Sequence, residues 1–410
     1  MTTENPKFAM GRIEFIGLIA MMFATIAFSI DAMLPALPEI AAELSPELAH
    51  RAPLILTAFV LGMGLGTFFS GPLSDAFGRR NVVFGGAALY SLSAFVAWMS
   101  NSLEVMLVAR VFQGLGASGP RVVAVAIIRD LFEGREMARI MSIVMMVFAL
   151  VPALAPMLGA GIILTAGWRA IFIAFMVFSI ISVVWMGLRL PETLPRKNRR
   201  PLRARLIIAA VRELLTHPSV RLSIIVQSLA LAMLFSMLML VQPIYDSVYG
   251  RGDSFPLWFG GIAVVAASAS LINALLVVRY GMRRLVTIAL GVQIILSGVM
   301  YFANLGALPD PYGFAAFVFF QTCLFFQAGL TLGNLNAIAM EPMGHIAGMA
   351  ASVVGAISTV LAALIASPVG LMFDGTTKPL ALAMLCMAVV AYGLMLYMGR
   401  VENRLLAAAE

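Results

Sequence analysis

The stretch Gly71-Pro-Leu-Ser-Asp-Ala-Phe-Gly-Arg-Arg80 lies between two long apolar runs and is too short to be a domain. It packs a turn, one carboxylate and two guanidinium groups into a single connection. Charge next to a bilayer has to be paired or wet, so a compact charged hairpin between apolar runs is a feature with a job. Each flanking run reaches the roughly 20 residues that cross hydrocarbon at about 1.5 Å of rise per residue. Working outward, twelve such runs are found, near 14–37, 52–73, 81–100, 103–128, 139–165, 168–190, 219–245, 255–278, 284–305, 311–339, 347–373 and 379–400.

Composition agrees with an all-α membrane protein. Hydrophobic residues make up 61% of the 410 and charged residues 11%, against roughly 25% charged in soluble domains. Too few polar residues remain to cover a soluble globule. The net charge of +7 does not point to nucleic acid, because the basic residues sit in short segments between apolar runs. The two cysteines, Cys323 and Cys386, fall inside apolar runs and have no metal-ligand spacing. The short polar segment before residue 14 lacks a small-residue cleavage site after its apolar run, so that run reads as a first span and not as a cleaved signal.

Most connections are a few residues long. The exception is 191–218, a basic stretch near the midpoint, which divides the chain into a six-span half over 1–190 and another over 219–410. If the N-terminus is cytoplasmic, 21 of the 27 Lys and Arg fall on the cytoplasmic side, and four (Arg51, Arg169, Arg251 and Lys378) on the other. That bias predicts both termini inside. The last two, Arg110 and Arg121, lie within span 4. A weak repeat supports two halves. A shift of 203 brings Gly78 onto Gly281, Phe77 onto Tyr280 and Arg80 onto Arg283, while Asp75 meets Val278. Phe112-Gln113 of span 4 recurs as Phe326-Gln327 of span 10. Repeated halves around a central site are a common transporter plan.

Ionisable groups inside spans mark pathways. Asp31 lies about six residues, or roughly 9 Å, below the outer end of span 1, and Arg110 about seven residues, or roughly 10 Å, below that of span 4. The matching depths predict that both face a central cavity and lie close together. Their functional reading is coupling to a proton or a substrate cation, and the alternative is a structural pair. In general a carboxylate holds its proton weakly beside a guanidinium and tightly in an apolar pocket, so switching between those settings would load and release one. Arg121, eleven residues beyond Arg110, lies about 20° off the same stripe. It reads as an anion-binding group or as a side chain snorkelling toward a loop acid. Gln113 flanks that stripe. Uncharged polar residues mark a further cavity lining: Gln227 and Gln242 in span 7, Asn273 in span 8, and Gln321, Gln327 and Asn334 in span 10. Each has interhelical bonding as its alternative. In span 5, Pro152 and Pro156 remove backbone donors, and Ala155, Gly159 and Ala160 permit close helix approach. This predicts a bent, tightly packed gate helix.

Together these segments resemble the major facilitator superfamily. Gly71 to Arg80 is similar to its loop 2–3 motif, Arg110-Val-Phe-Gln-Gly-Leu-Gly-Ala117 to its span 4 motif, and Pro152 to Gly161 to its span 5 antiporter motif. Asp31-Ala-Met-Leu-Pro35 and Ile338 to Gly348 resemble segments of bicyclomycin/chloramphenicol-type drug exporters. The resemblance implies twelve helices in two pseudo-symmetric halves around a central cavity. It makes Asp31 the proton-coupling acid, Arg110 the essential span 4 arginine, and Pro156 and Gly159 the gate. Gly71, Asp75, Gly78, Arg79 and Asp130 become a cytoplasmic latch between the halves that holds the outward-facing state. Ala and Met follow Asp31 where Tyr is usual, Phe23 stands where related exporters carry a second acid, and Ala155 replaces a glycine.

The expectation is a proton-coupled antiporter of a small amphipathic compound in the inner membrane. It would be monomeric, with lipid around it and no metal, cofactor, nucleic acid or enzymatic activity. An importer or facilitator on the same fold is the alternative. More distant is an intramembrane serine hydrolase, since Gly116-Ala-Ser-Gly119 fits a GxSG motif. A serine nucleophile needs a base in reach, and His50, His217 and His345 all fall at loops or span ends.

Overall fold

In hydrocarbon a single chain segment satisfies its backbone polar groups only as a helix, and every apolar run forms one. A computed structural model describes residues 10–199, 201, 202 and 204–407. Lys7, Arg200 and Arg203, which entered the charge count, lie outside them. The spans are α1 (Arg12–Asp31), α2 (Leu54–Phe77), α3 (Arg79–Met99), α4 (Leu103–Leu131), α5 (Gly134–Ala166) and α6 (Ala170–Arg189), followed by α7 (Pro218–Pro243), α8 (Phe255–Tyr280), α9 (Met282–Phe302), α10 (Tyr312–Met340), α11 (Ala347–Leu371) and α12 (Lys378–Ala407).

Three departures from the sequence reading matter. α1 ends at Asp31 and not near residue 37; a 3₁₀ turn Leu34–Ala36 and a short helix Leu37–Leu44 follow. Pro35 and Pro38 lack the N–H that would continue α1, and each stands at the start of a new helical segment instead. α7 runs into a π-helical turn, Ile244–Val248, after Pro243. The central linker contains a helix of its own, Ala204–Thr216.

The packing map repeats with a shift of six. α1 packs on α4, α5 and α6, and α7 packs on α10, α11 and α12. α2–α4, α3–α4 and α3–α6 become α8–α10, α9–α10 and α9–α12. Across the halves α2 meets α11 and α8 meets α5, and these two contacts map onto each other. The aligned glycines obey the same rule. Gly78 between α2 and α3 has φ 98° and ψ 157°, and Gly281 between α8 and α9 has φ 79° and ψ 154°. Positive φ costs glycine nothing and strains other residues, so one backbone corner is built twice.

α3, α6, α9 and α12 expose rows of large apolar residues, such as Leu92, Ile180, Ile295 and Val390. That is the surface a bilayer covers. On the face opposite the termini the halves close together: α7 packs against Leu34–Ala36 and Leu37–Leu44, and α11 against Ala49–Arg51. On the terminus face the halves touch where Gly71 of α2 faces Ser352 of α11 and where Arg129 of α4 reaches Gly348.

Candidate functional site

Asp31 is the last residue of α1 and only 5% exposed. Among the described residues its carboxyl has no hydrogen-bond or ion-pair partner. It sits at the negative end of the helix dipole, an unfavourable place for an anion. The next residue, Ala32, presents its carbonyl to Gly159 of α5 so closely that any side chain at 159 would collide with it. Gly159 therefore sets the α1–α5 approach beside the acid.

Arg110 is fully buried, yet it does not pair with Asp31. The two were expected to lie close together, and the guanidinium bonds to the chain two residues before the acid without pairing with it. Nη2 donates to the Ser29 carbonyl at 2.9 Å, Nε to the Ile55 carbonyl at 3.3 Å, and Nη1 to Gln113 Oε1 at 2.8 Å. The Phe59 ring covers it, 4.4 Å from Cζ to the ring centroid. Ser29 belongs to the last turn of α1, where carbonyls lack intrahelical partners, so Arg110 caps α1 two residues before the acid. Ser29 Oγ in turn meets the Tyr90 hydroxyl at 2.5 Å. Arg110 is thus a pin joining α1, α2 and α4, not a counter-ion.

The amide side chains picked from the sequence divide into two groups. Gln113, Gln227, Gln242, Gln321 and Gln327 are all buried, and each keeps one polar atom with no partner among the described residues: Nε2 of Gln113 and Gln321, Oε1 of Gln227, Gln242 and Gln327. Native proteins leave few such atoms, and each costs about 1–3 kcal/mol while unpaired. Asn273 and Asn334 spend their groups on each other, with Asn334 Nδ2 donating to Asn273 Oδ1 at 2.7 Å. They brace α8 against α10, which is the interhelical alternative. Arg121 is exposed although Arg110 on the same helix is buried, so the two arginines do not share one environment.

Pro152 and Pro156 lie inside α5, which continues unbroken to Ala166. α5 is wedged between α1, through Gly159, and α8, where Gly260 approaches the Ala153 carbonyl. Ser118, the candidate nucleophile, donates to the Leu115 carbonyl and meets Ser70 Oγ, both at 2.8 Å. Its hydroxyl ties α4 to α2, and none of its hydrogen-bond partners is a histidine.

The charged hairpin is a closed network. Arg79, 3% exposed, donates through Nη1 to Asp75 (2.6 Å) and Ser74 (2.7 Å), and through Nε to Asp130 (2.9 Å). Glu192, just past α6, accepts the Arg79 and Arg80 amides at 2.9 and 3.1 Å and so caps α3. Thr193 adds a bond to Asp130. Every partner lies in the first half or the start of the linker, which corrects the expected latch between halves. The cross-half contact beside it is Gly71 against Ser352, not an ion pair.

A family model described as Major Facilitator Superfamily matches residues 17–367. The chain belongs to the major facilitator superfamily. It is 30% identical over 375 residues to a bicyclomycin resistance protein homolog of Haemophilus influenzae, covering 89% of this chain and 92% of that one. It is 29% identical over 404 residues to an uncharacterized MFS-type transporter of Bacillus subtilis, with 96% of each chain covered. The fold is also that of a D-xylose–proton symporter, with a TM-score of 0.73 at 15% identity, covering 93% of this chain and 97% of that one. The protein is therefore a multi-pass membrane transporter of this superfamily, acting on a small molecule.

Three features escaped the superfamily motifs and the sequence reading alike. Glu192 looked like linker composition, although an acid facing a helix start is a capping signal. Tyr90 carried no signal, because one tyrosine in an apolar run reads as core. Tyr245 donates to Gln321 Oε1 at 3.0 Å from within the π turn, and its position one turn past Gln242 was the available clue.

Proposed function

We propose that this transporter exports a small amphipathic compound in exchange for protons across the bacterial inner membrane, with both termini in the cytoplasm. The two six-helix halves, 1–190 and 219–410 joined by the linker 191–218, rock about a central cavity. The proton gradient is the energy source, no cofactor takes part, and the working unit is a monomer. The relatives named for bicyclomycin and drug resistance support efflux, and the bias of 21 basic residues to four supports the orientation.

One observation carries the coupling: among the described residues the buried Asp31 carboxyl has no partner. A lone charge at such depth costs about 3 kcal/mol or more, so the group requires a proton, a cation or water from outside the protein. Its place at the break after α1, against Gly159 of α5, puts it where a rocking movement alters its surroundings. Arg110 serves the step by holding the end of α1 in place. The test is transport into proteoliposomes under an imposed pH gradient, with cationic, neutral and anionic compounds. Asp31→Asn should abolish gradient-driven accumulation while binding survives. Full gradient-driven accumulation by Asp31→Asn would falsify the coupling role.

A further inference from the structure

The second half contains no charged side chain in the interior of its spans. Arg221, Arg279, Arg283, Arg284, Lys378 and Arg400 stand at span ends, and Asp246, Arg251, Asp253, Asp310, Glu341 and Asp374 lie in the turns between spans. Inside are neutral hydrogen-bonding groups, and those nearest the closed face converge. Gln242 stands one residue before the end of α7, Tyr245 lies one turn on in the π-helical turn, and Gln321 meets Tyr245 from α10. Tyr245 donates to Gln321 Oε1, which leaves Gln321 Nε2 as an unpartnered donor. Gln242 Oε1 is an unpartnered acceptor. The two glutamines are 0% and 3% exposed, so neither free atom is served by bulk solvent in this state. The tyrosine ring is packed edge-on by Phe255, Phe314 and Phe317, at centroid distances of 5.4, 5.2 and 6.0 Å. π turns within helices concentrate at functional sites, and this one lies beside the amide whose acceptor is free.

We infer that Gln242, Tyr245 and Gln321 form a substrate subsite for an uncharged amide or hydroxyl group that both accepts and donates a hydrogen bond and is carried on an aromatic or apolar body. The inference rests on the export reading above and adds the substrate's chemistry to it. A donor and an acceptor presented together match a group with a C=O and an N–H, or a hydroxyl serving both. Aromatic walls hold the apolar body. Among the described residues of this half every carboxylate is exposed, Asp246 beside Tyr245 included, so a cation finds no buried counter-charge here, and burying it against amides alone is costly. The substrate's end in the second half is therefore neutral, and the ionisable chemistry stays with Asp31 in the first.

The test uses the full-length protein in nanodiscs without a gradient, titrated with chloramphenicol as a neutral amide-bearing amphiphile and with ethidium as a permanent cation. Chloramphenicol should bind saturably and ethidium markedly less tightly. Gln242→Leu and Gln321→Leu should each weaken chloramphenicol binding about tenfold, the effect of one desolvated hydrogen bond. Tyr245→Phe, which keeps the ring, should weaken it less, and Ser118→Ala should leave it within about twofold because that hydroxyl lies outside this subsite. Preference for ethidium, no saturable chloramphenicol binding, or wild-type affinity in folded Gln321→Leu and Tyr245→Phe proteins would each overturn the subsite. Binding with the predicted pattern but no gradient-driven transport would overturn the antiport reading and leave the subsite standing.

Discussion

The ends of α1 and α7 occupy equivalent places in the two halves, and their chemistry differs. Both helices stop just before an irregular turn, a 3₁₀ turn after α1 and a π turn after α7. Among the described residues α1 ends in a buried carboxyl with no partner, and α7 has a buried amide with a free acceptor one residue before its end. The same contrast runs through α4 and α10. Phe112-Gln113 corresponds to Phe326-Gln327, which sets Arg110 against Leu324. Gln113 receives Arg110, while Gln327 donates to Thr331 at 3.1 Å. One packing plan thus carries ionisable groups in one copy and neutral polar groups in the other. A charge in a membrane interior needs a dedicated set of partners, and duplicating that set would double its cost without adding a second coupling step.

The largest effect should come from erasing this contrast at α4. Arg110→Leu installs the residue of α10. It strips the Ser29 and Ile55 carbonyls and Gln113 Oε1 of a buried donor, at about 1–3 kcal/mol for each group left unpaired. Thermal denaturation in detergent should show a loss of several degrees, and gradient-driven transport should be lost. Arg110→Lys keeps the charge but not the fork, so it should recover some stability and little transport. If Arg110→Leu transported like the wild type, the capping of α1 would be irrelevant to function and the contrast between halves would be decoration.

The span pattern was legible because hydropathy integrates over about 20 residues, and single polar residues such as Gln113 or Gln321 do not disturb that sum. The site residues were legible for the same reason in reverse, since a polar group inside an apolar run stands out. Their partners were not. Matching depths placed Asp31 beside Arg110, but depth along a helix axis says nothing about which carbonyl a five-donor guanidinium will choose. The last-turn carbonyl of Ser29 in α1 and the first-turn carbonyl of Ile55 in α2 competed and won. Asn273 and Asn334 looked like Gln227 and Gln327 in the sequence, and only the helix spacing of α8 and α10 shows that the asparagines reach each other. The latch was misjudged because the acid that caps α3, Glu192, lies 113 residues from Arg79 in sequence.

A smaller effect should follow at the two corners. Gly78 and Gly281 share one backbone conformation, but Arg79 corresponds to Met282, and Asp75 to Val278. Arg79→Met therefore converts the first corner toward the second. It leaves Asp130 and Asp75 without their guanidinium; both keep some solvent contact, with side chains 16% and 43% exposed. The cost should fall below the roughly 3–5 kcal/mol of breaking a fully buried pair. Slower transport with unchanged substrate affinity is the expected outcome, because the network joins α2, α3, α4 and the linker and touches no cavity group. Spin-label distances between α2 and α3 should broaden. A change confined to distances between the halves would restore the cross-half latch that the bonding pattern argues against.

The smallest effect should come from Ser118→Ala. Ser118 is buried polar like the groups above, but its hydroxyl is satisfied twice, by the Leu115 carbonyl and by Ser70. Removing it leaves Ser70 with its bond to the Gly66 carbonyl, so no group is orphaned and the loss should stay near about 1 kcal/mol. Transport should remain within about twofold, since neither the α1 cap nor the free amides are touched. This variant also separates the transporter from the serine-hydrolase alternative, whose nucleophile it deletes: a large loss of activity with stability intact would mean that Ser118 does chemistry. The contrast between halves requires the opposite, that a polar residue matters for function here only if it is charged, keeps an unpartnered atom or, like Tyr245, bonds a side chain that does.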